Sequence, residues 1–193
     1  MTIAAVISLG GCASLGGGDG STASQPAFSG GQQSARDHLN DGYSDLYSSA
    51  QGLAQVDKIF YVKIESDDVQ RVVEDVTRYS GQLAQRMEQL RRDFPALALD
   101  RQTTPPLLKA ADKAQKKGTL KRFAPVVGTS GKAFERGLLI RLLGGVDKLH
   151  YLAATLAQRE PNPALSRIMT NASGRYAGFY NEVDTLLNKR FYR

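Results

Sequence analysis

Residues 69–94 read VQRVVEDVTRYSGQLAQRMEQLRRDF, and their spacing decides the fold class. Val69, Val72, Val73, Val76, Tyr79, Leu83, Met87, Leu90 and Phe94 recur at intervals of three and four, which places them on one face of an α-helix. Arg71, Glu74, Arg78, Gln82, Arg86, Gln89 and Arg92 fall largely outside that stripe. Ser66 stands where an N-cap belongs, with Asp67 and Asp68 in the first turn, where the helix dipole favours anions. Pro95 ends the helix, because the residue before a proline is pushed out of helical angles. At 1.5 Å per residue the helix is roughly 39 Å long. A single apolar stripe of that length needs helical partners to cover it.

The flanking sequence supplies them. On the N-terminal side, Leu39, Tyr43, Leu46, Tyr47, Ala50, Leu53 and Ala54 repeat at helical spacing from Ser34 onward. That pattern is weakened by Gly42 and Gly52 and extends in outline to Ile59, Phe60 and Ile64. On the C-terminal side, residues 95–106 form a connection with Thr103-Thr104-Pro105-Pro106 as a stop and fresh start. A short helix over 107–117 follows, with Leu107, Leu108, Ala111 and Ala114 expected inward and Gly118 as its C-terminal cap. Pro125, Gly128 and Gly131 predict a loop. Phe134, Leu138, Leu142, Val146, Leu149, Ala153 and Leu156 mark a fourth helix, in which Gly144-Gly145 either bends the rod or permits close packing. Asn162-Pro163 is a cap and first-turn pair, and Leu165, Ile168, Ala172, Tyr176, Phe179, Val183, Leu186 and Leu187 carry the last stripe. No segment sustains two-residue alternation. The expected fold is all-α: an antiparallel four-helix-type bundle with an additional short helix.

The N-terminus carries a different signal. An apolar run over residues 3–9 is too short to span a bilayer, which takes roughly 20 helical residues, and fits the end of a secretory signal followed by small residues. Leu9-Gly10-Gly11-Cys12 resembles the lipobox of bacterial lipoproteins. The resemblance implies cleavage before Cys12, a diacylglyceryl (palmitate-type) lipid on its thiol and acylation of the new amino group. Two or more chains give stable anchoring where one does not. No Lys or Arg precedes the apolar run, which predicts a start upstream of Met1. Cys12 is followed by Ala13 and Ser14 rather than Asp, which resembles lipoproteins sorted to the outer membrane. Residues 1–11 are accordingly read as a signal remnant, 12–33 as a lipidated flexible Gly/Ser tether and 34–193 as the bundle. Cys12 is the sole cysteine, so the domain is held by packing alone.

Charge is uneven. Three Lys/Arg and six Asp/Glu precede Ser66, whereas 22 and 13 follow it. The strongest cluster, Lys109, Lys113, Lys116, Lys117, Lys121 and Arg122, makes the short helix a candidate contact for anionic lipid or an acidic envelope polymer. A solvated edge helix is the plainer account of the same residues. The C-terminal Lys189-Arg190-Phe191-Tyr192-Arg193 either completes the last helix or meets a protein or membrane partner. No basic segment matches a groove-reading motif, so nucleic acid is excluded as a partner.

Chemistry is sparse. There is no Gly-x-Ser-x-Gly elbow; Thr129-Ser130-Gly131-Lys132 lacks the glycine spacing and preceding strand of a phosphate loop; the acids are scattered. No catalytic residue is assigned. Asp147 and His150 share one side of the fourth helix and, with Glu88, are the weak candidates for a metal site. A histidine on a helix flank is the preferred reading. Residues 69–187 also resemble the ferritin-like helical domains of bacterial exported proteins, through the Val-rich helix ending in Met87, Ala133-Phe134-Glu135-Arg136 and Asn162-Pro163-Ala164-Leu165. Gly144-Gly145 and Arg91-Arg92 stand where some members place histidines. The expected function is a non-enzymatic, membrane-anchored envelope lipoprotein facing the periplasm, with no cofactor beyond the lipid on Cys12. A metal-binding or redox ferritin-like bundle is the alternative.

Overall fold

The computed structural model describes residues 30–56, 64–101, 104–122 and 131–192. They form five helices and no strand: α1 (Gly30–Leu53), α2 (Asp67–Asp93), α3 (Pro106–Arg122), α4 (Gly131–Arg159) and α5 (Pro163–Phe191). The lipobox-like tetrapeptide, the tether up to residue 29 and the pattern through Ile59 and Phe60 lie outside the described residues.

α1, α2, α4 and α5 make the bundle, and α3 is the additional short helix. Each neighbouring pair runs antiparallel. Arg36 meets Glu160 while Lys148 meets Asp45, which fixes α1 against α4. Ser80 meets Tyr176 and Asp68 meets Arg190, which fixes α2 against α5. α2 and α4 are consequently parallel, and the chain between them must return along the bundle. α3 lies in that crossover, a connection bundles use when sequential helices point the same way.

The stripes are buried as their period requires. All seven predicted positions of α4, from Phe134 to Leu156, are in the core, as are Val69, Val73, Val76, Leu83, Met87 and Leu90 of α2. Val72, Tyr79 and Phe94 border the stripe and are only partly buried. Tyr79 packs edge-on to Tyr176 and Phe179, with ring centroids 5.4 and 5.7 Å away, a geometry favoured by the ring quadrupoles. Asn162 caps α5 by accepting from the Ala164 and Leu165 amides at 2.9 and 3.3 Å, with proline in the first turn.

Gly144-Gly145 does not interrupt α4. A Cβ at Gly145 would sit 3.2 Å from Leu53 Cδ2, so this glycine admits α1, whereas one at Gly144 would meet nothing within 4 Å. Gly144→Ala is therefore expected to stabilise the fold by roughly 0.5–1 kcal/mol, the helix-propensity difference, measured as a raised urea midpoint with unchanged slope.

The short helix departs from expectation. α3 runs through Gly118 to Arg122 instead of being capped at Gly118. Leu107, Leu108, Ala111 and Ala114 are exposed, not inward, with Leu107 81% and Leu108 56% accessible. The core is built by the other four helices together with Ile64, Leu97 and Leu99, and no α3 residue belongs to it.

Candidate binding surface

α1 positions the segment that precedes α3. Asn40 and Ser44 are one turn apart on α1 and both buried. Asn40 Nδ2 donates to the Ala96 carbonyl at 3.0 Å, and its Oδ1 accepts from the Ala98 amide at 3.1 Å. Ser44 Oγ shares its hydrogen between the Asn40 carbonyl at 2.8 Å and the Ala98 carbonyl at 3.2 Å and accepts from the Arg101 amide at 3.1 Å. These side chains take the place of a neighbouring strand, and they press Leu97 and Leu99 into the core. Arg101 completes the strap, donating to Asp41 at 2.6 Å and to Asp37 at 2.8 Å. Asn40→Ala frees the amide of half-buried Ala98 and the carbonyl of exposed Ala96, which water reaches in part, an expected cost of about 1 kcal/mol. Amide hydrogen exchange should quicken at Ala98 and stay unchanged at Leu149 in the core.

Between this strap, α1, α3 and α4 lies an open groove of about 830 Å³. Its walls are mixed in charge: Asp41, Asp45, Asp100 and Asp112 face Arg101, Lys109, Lys113 and Lys148. Lys148 donates to Asp45 at 2.9 Å across it. The sequence-derived basic cluster is thus split. Lys109 and Lys113 border the groove, whereas Lys117 and Lys121 are exposed outside its lining. The side chains of Lys116 and Arg122 lie outside the described residues.

Two buried carboxylates, unassigned by sequence reasoning, tie the ends of the bundle. At the α4–α5 turn, Glu160 has a fully buried side chain and accepts from Arg36 at 2.8 and 3.0 Å, Tyr43 Oη at 2.9 Å and the Asn162 amide at 3.0 Å. Burial pushes its pKa up, but the hydrogen bonds from Arg36, Asn162 and Tyr43 outweigh that and hold it below the ordinary carboxylate range. Burial, with the Glu160 charge beside it, drives the Tyr43 hydroxyl well above the usual tyrosine range. At the other end, Glu135 is 1% exposed. It accepts from the Glu65 and Ser66 amides at 3.0 and 2.8 Å, from Ser66 Oγ at 2.9 Å and from Arg190 at 3.3 Å. Arg190 also grips Asp68 at 2.8 and 3.0 Å. Ser66 occupies the N-cap position of α2, yet its hydroxyl caps nothing locally because it is spent on Glu135 and Arg190.

Asp147 and His150 lie on one side of α4 as expected. His150 Nδ1 is 3.0 Å from both the carbonyl and the hydroxyl of Ser173 on α5. In either tautomer one of these groups completes a hydrogen bond, and the ring joins two helices. Glu88 accepts from Tyr47 Oη at 2.5 Å and pairs with Arg91 at 3.0 Å. Among the described residues no three His, Cys, Asp or Glu side chains converge as metal ligands. At the C-terminus Phe191 packs against the core, while Tyr192 is 57% exposed and Arg136 lies 5.3 Å from its ring centroid. No described helix is long and apolar enough to cross a membrane. No protein-family model, curated protein or solved structure matches the chain.

Proposed function

We propose that the chain is a lipid-anchored protein of the bacterial cell envelope, held through Cys12 and facing the periplasm from the outer membrane, whose helical bundle binds rather than catalyses. The observation that carries the reading is the placement of Leu9-Gly10-Gly11-Cys12 after an apolar run and 18 residues ahead of the start of α1 at Gly30. An extended chain of that length reaches at most about 60 Å and a flexible one spans about 23 Å on average. Either suffices for the bundle to lie against the surface that holds it. The binding role is supported by the employment of the buried acids: Glu135 and Glu160 each spend both oxygens joining helices. The exposed α3 is the element left to meet a partner.

Mass spectrometry of the membrane fraction tests the anchor. The expected N-terminal peptide begins at Cys12 and carries the mass of a diacylglyceryl group and an amide-linked acyl chain. Cys12→Ser is expected to lose both the mass and the partition into the detergent phase. An equally membrane-bound Cys12→Ser protein with the same mass increment would refute the proposal.

A further inference from the structure

α3 is inside-out. With 3.6 residues per turn, Leu107, Ala111, Ala114 and Gly118 share one face, and Lys109, Asp112 and Lys113 share the opposite one. The charged face lines the groove against the bundle. The apolar face points to solvent, with Leu107 81% exposed. At about 100° per residue Lys117 falls about 80° from Leu107, on the border of that face, and Lys121 about 40°, at its C-terminal end; both are exposed. Every described side chain from Thr104 to Gln115 is exposed, so Leu107, Ala111 and Ala114 are left uncovered by the bundle.

We propose that α3 is a membrane-docking helix: its Leu107–Ala111–Ala114 face enters the interfacial layer of an anionic bilayer while Lys117 and Lys121 meet headgroup phosphates. The inference rests on the envelope reading, which keeps the bundle within reach of a lipid surface. Helices that lie in a membrane interface bury an apolar face and carry lysines beside it, whose long stems let the ammonium groups stay at headgroup level. A second copy of the chain fits the same face less well. Stable protein interfaces bury roughly 1,200–2,000 Å² in total, far beyond one alanine-rich flank of a 17-residue helix. Lysines bordering the face would also repel their symmetry mates in such a pair.

The chain contains no tryptophan, so one introduced residue reports alone. Leu107→Trp is placed in a full-length Cys12→Ser background, which removes the lipid. It is mixed with vesicles of equal parts phosphatidylglycerol and phosphatidylethanolamine. The expected result is a blue-shifted emission quenched by brominated acyl chains. Tyr151→Trp, at a 63% exposed position on α4, is expected to keep its aqueous emission. Lys117→Glu with Lys121→Glu should weaken vesicle partition of the Leu107→Trp protein by at least about tenfold. Unchanged Leu107→Trp emission, or equal burial of both probes, overturns the proposal, and equal insertion into pure phosphatidylcholine overturns its anionic requirement. A shift that needs no vesicles and grows with protein concentration assigns the face to a second copy, and also overturns it. These outcomes are independent of acylation: loss of the Cys12 mass with intact insertion sinks the anchor alone, and the reverse sinks only the docking.

Discussion

Glu160→Ala is expected to lower the unfolding free energy by about 3 kcal/mol, near the lower bound for breaking a buried ion pair. The reasoning weighs the two groups left behind. Arg36 keeps 27% of its side-chain surface accessible and regains water when its partner goes. Tyr43 is fully buried, so its hydroxyl has no such route and bears the penalty of an unmade hydrogen bond. The same cluster fixes the direction of acid sensitivity. Because the folded-state pKa of Glu160 is depressed, the unfolded chain binds more protons wherever the two states differ. The stabilisation is complete above the unfolded glutamate pKa, about 4.3, and is lost as the pH falls through the folded value. Urea titrations across that range are expected to show a shallower acid slope for Glu160→Gln than for the parent. A parallel pair of curves would mean that Glu160 contributes nothing to acid unfolding.

Glu135→Ala is the companion case at the far end of α4, with an expected loss of about 3 kcal/mol from a different source. Arg190 retains Asp68, so the guanidinium is not stranded. The Glu65 and Ser66 amides lose their shared acceptor, at about 1–3 kcal/mol for each donor that water cannot reach. Glu135→Gln keeps an oxygen for those amides and is expected to cost less than half as much. Hydrogen exchange gives a second readout: the start of α2 should open in the alanine variant while Met87 and Leu90 stay protected. A loss below 1 kcal/mol, with no change at Ser66, would show that the carboxylate is dispensable.

The helices and their core faces were legible because burial of one stripe is all that a bundle asks of each rod, and Val69 to Leu90 or Phe134 to Leu156 display it without ambiguity. The polar interior was not. Reading charge as outward misplaces Glu135 and Glu160, although the spacing held a clue: Glu160 stands four after Leu156 and continues that stripe. Asn40 follows Leu39 and Ser44 follows Tyr43, and both were passed over because their partners are backbone groups of residues 96–101, which no side-chain pattern announces. The exposure of α3 escapes the sequence for a related reason. A weak leucine–alanine face predicts burial only if uncovered core remains, and coverage is a property of the other four helices. The lysines of residues 109–121 are plain in the sequence, but the placing of Lys109 and Lys113 on the groove and of Lys117 and Lys121 outside it depends on how α3 lies.

The paired carboxylates at the two ends of α4 have a further consequence. Leucine stripes are nearly periodic, so two antiparallel rods that slide by one turn, about 5.4 Å, still set apolar against apolar. Such slips are inexpensive for packing alone. Here a one-turn displacement of α5 along α4 would draw Arg190 away from Glu135, and the same displacement of α1 would part Arg36 from Glu160. Either error strands a buried charge. The ionic ends therefore act as a vernier: besides their part in the native well, they raise every shifted alignment above it and leave the bundle one register.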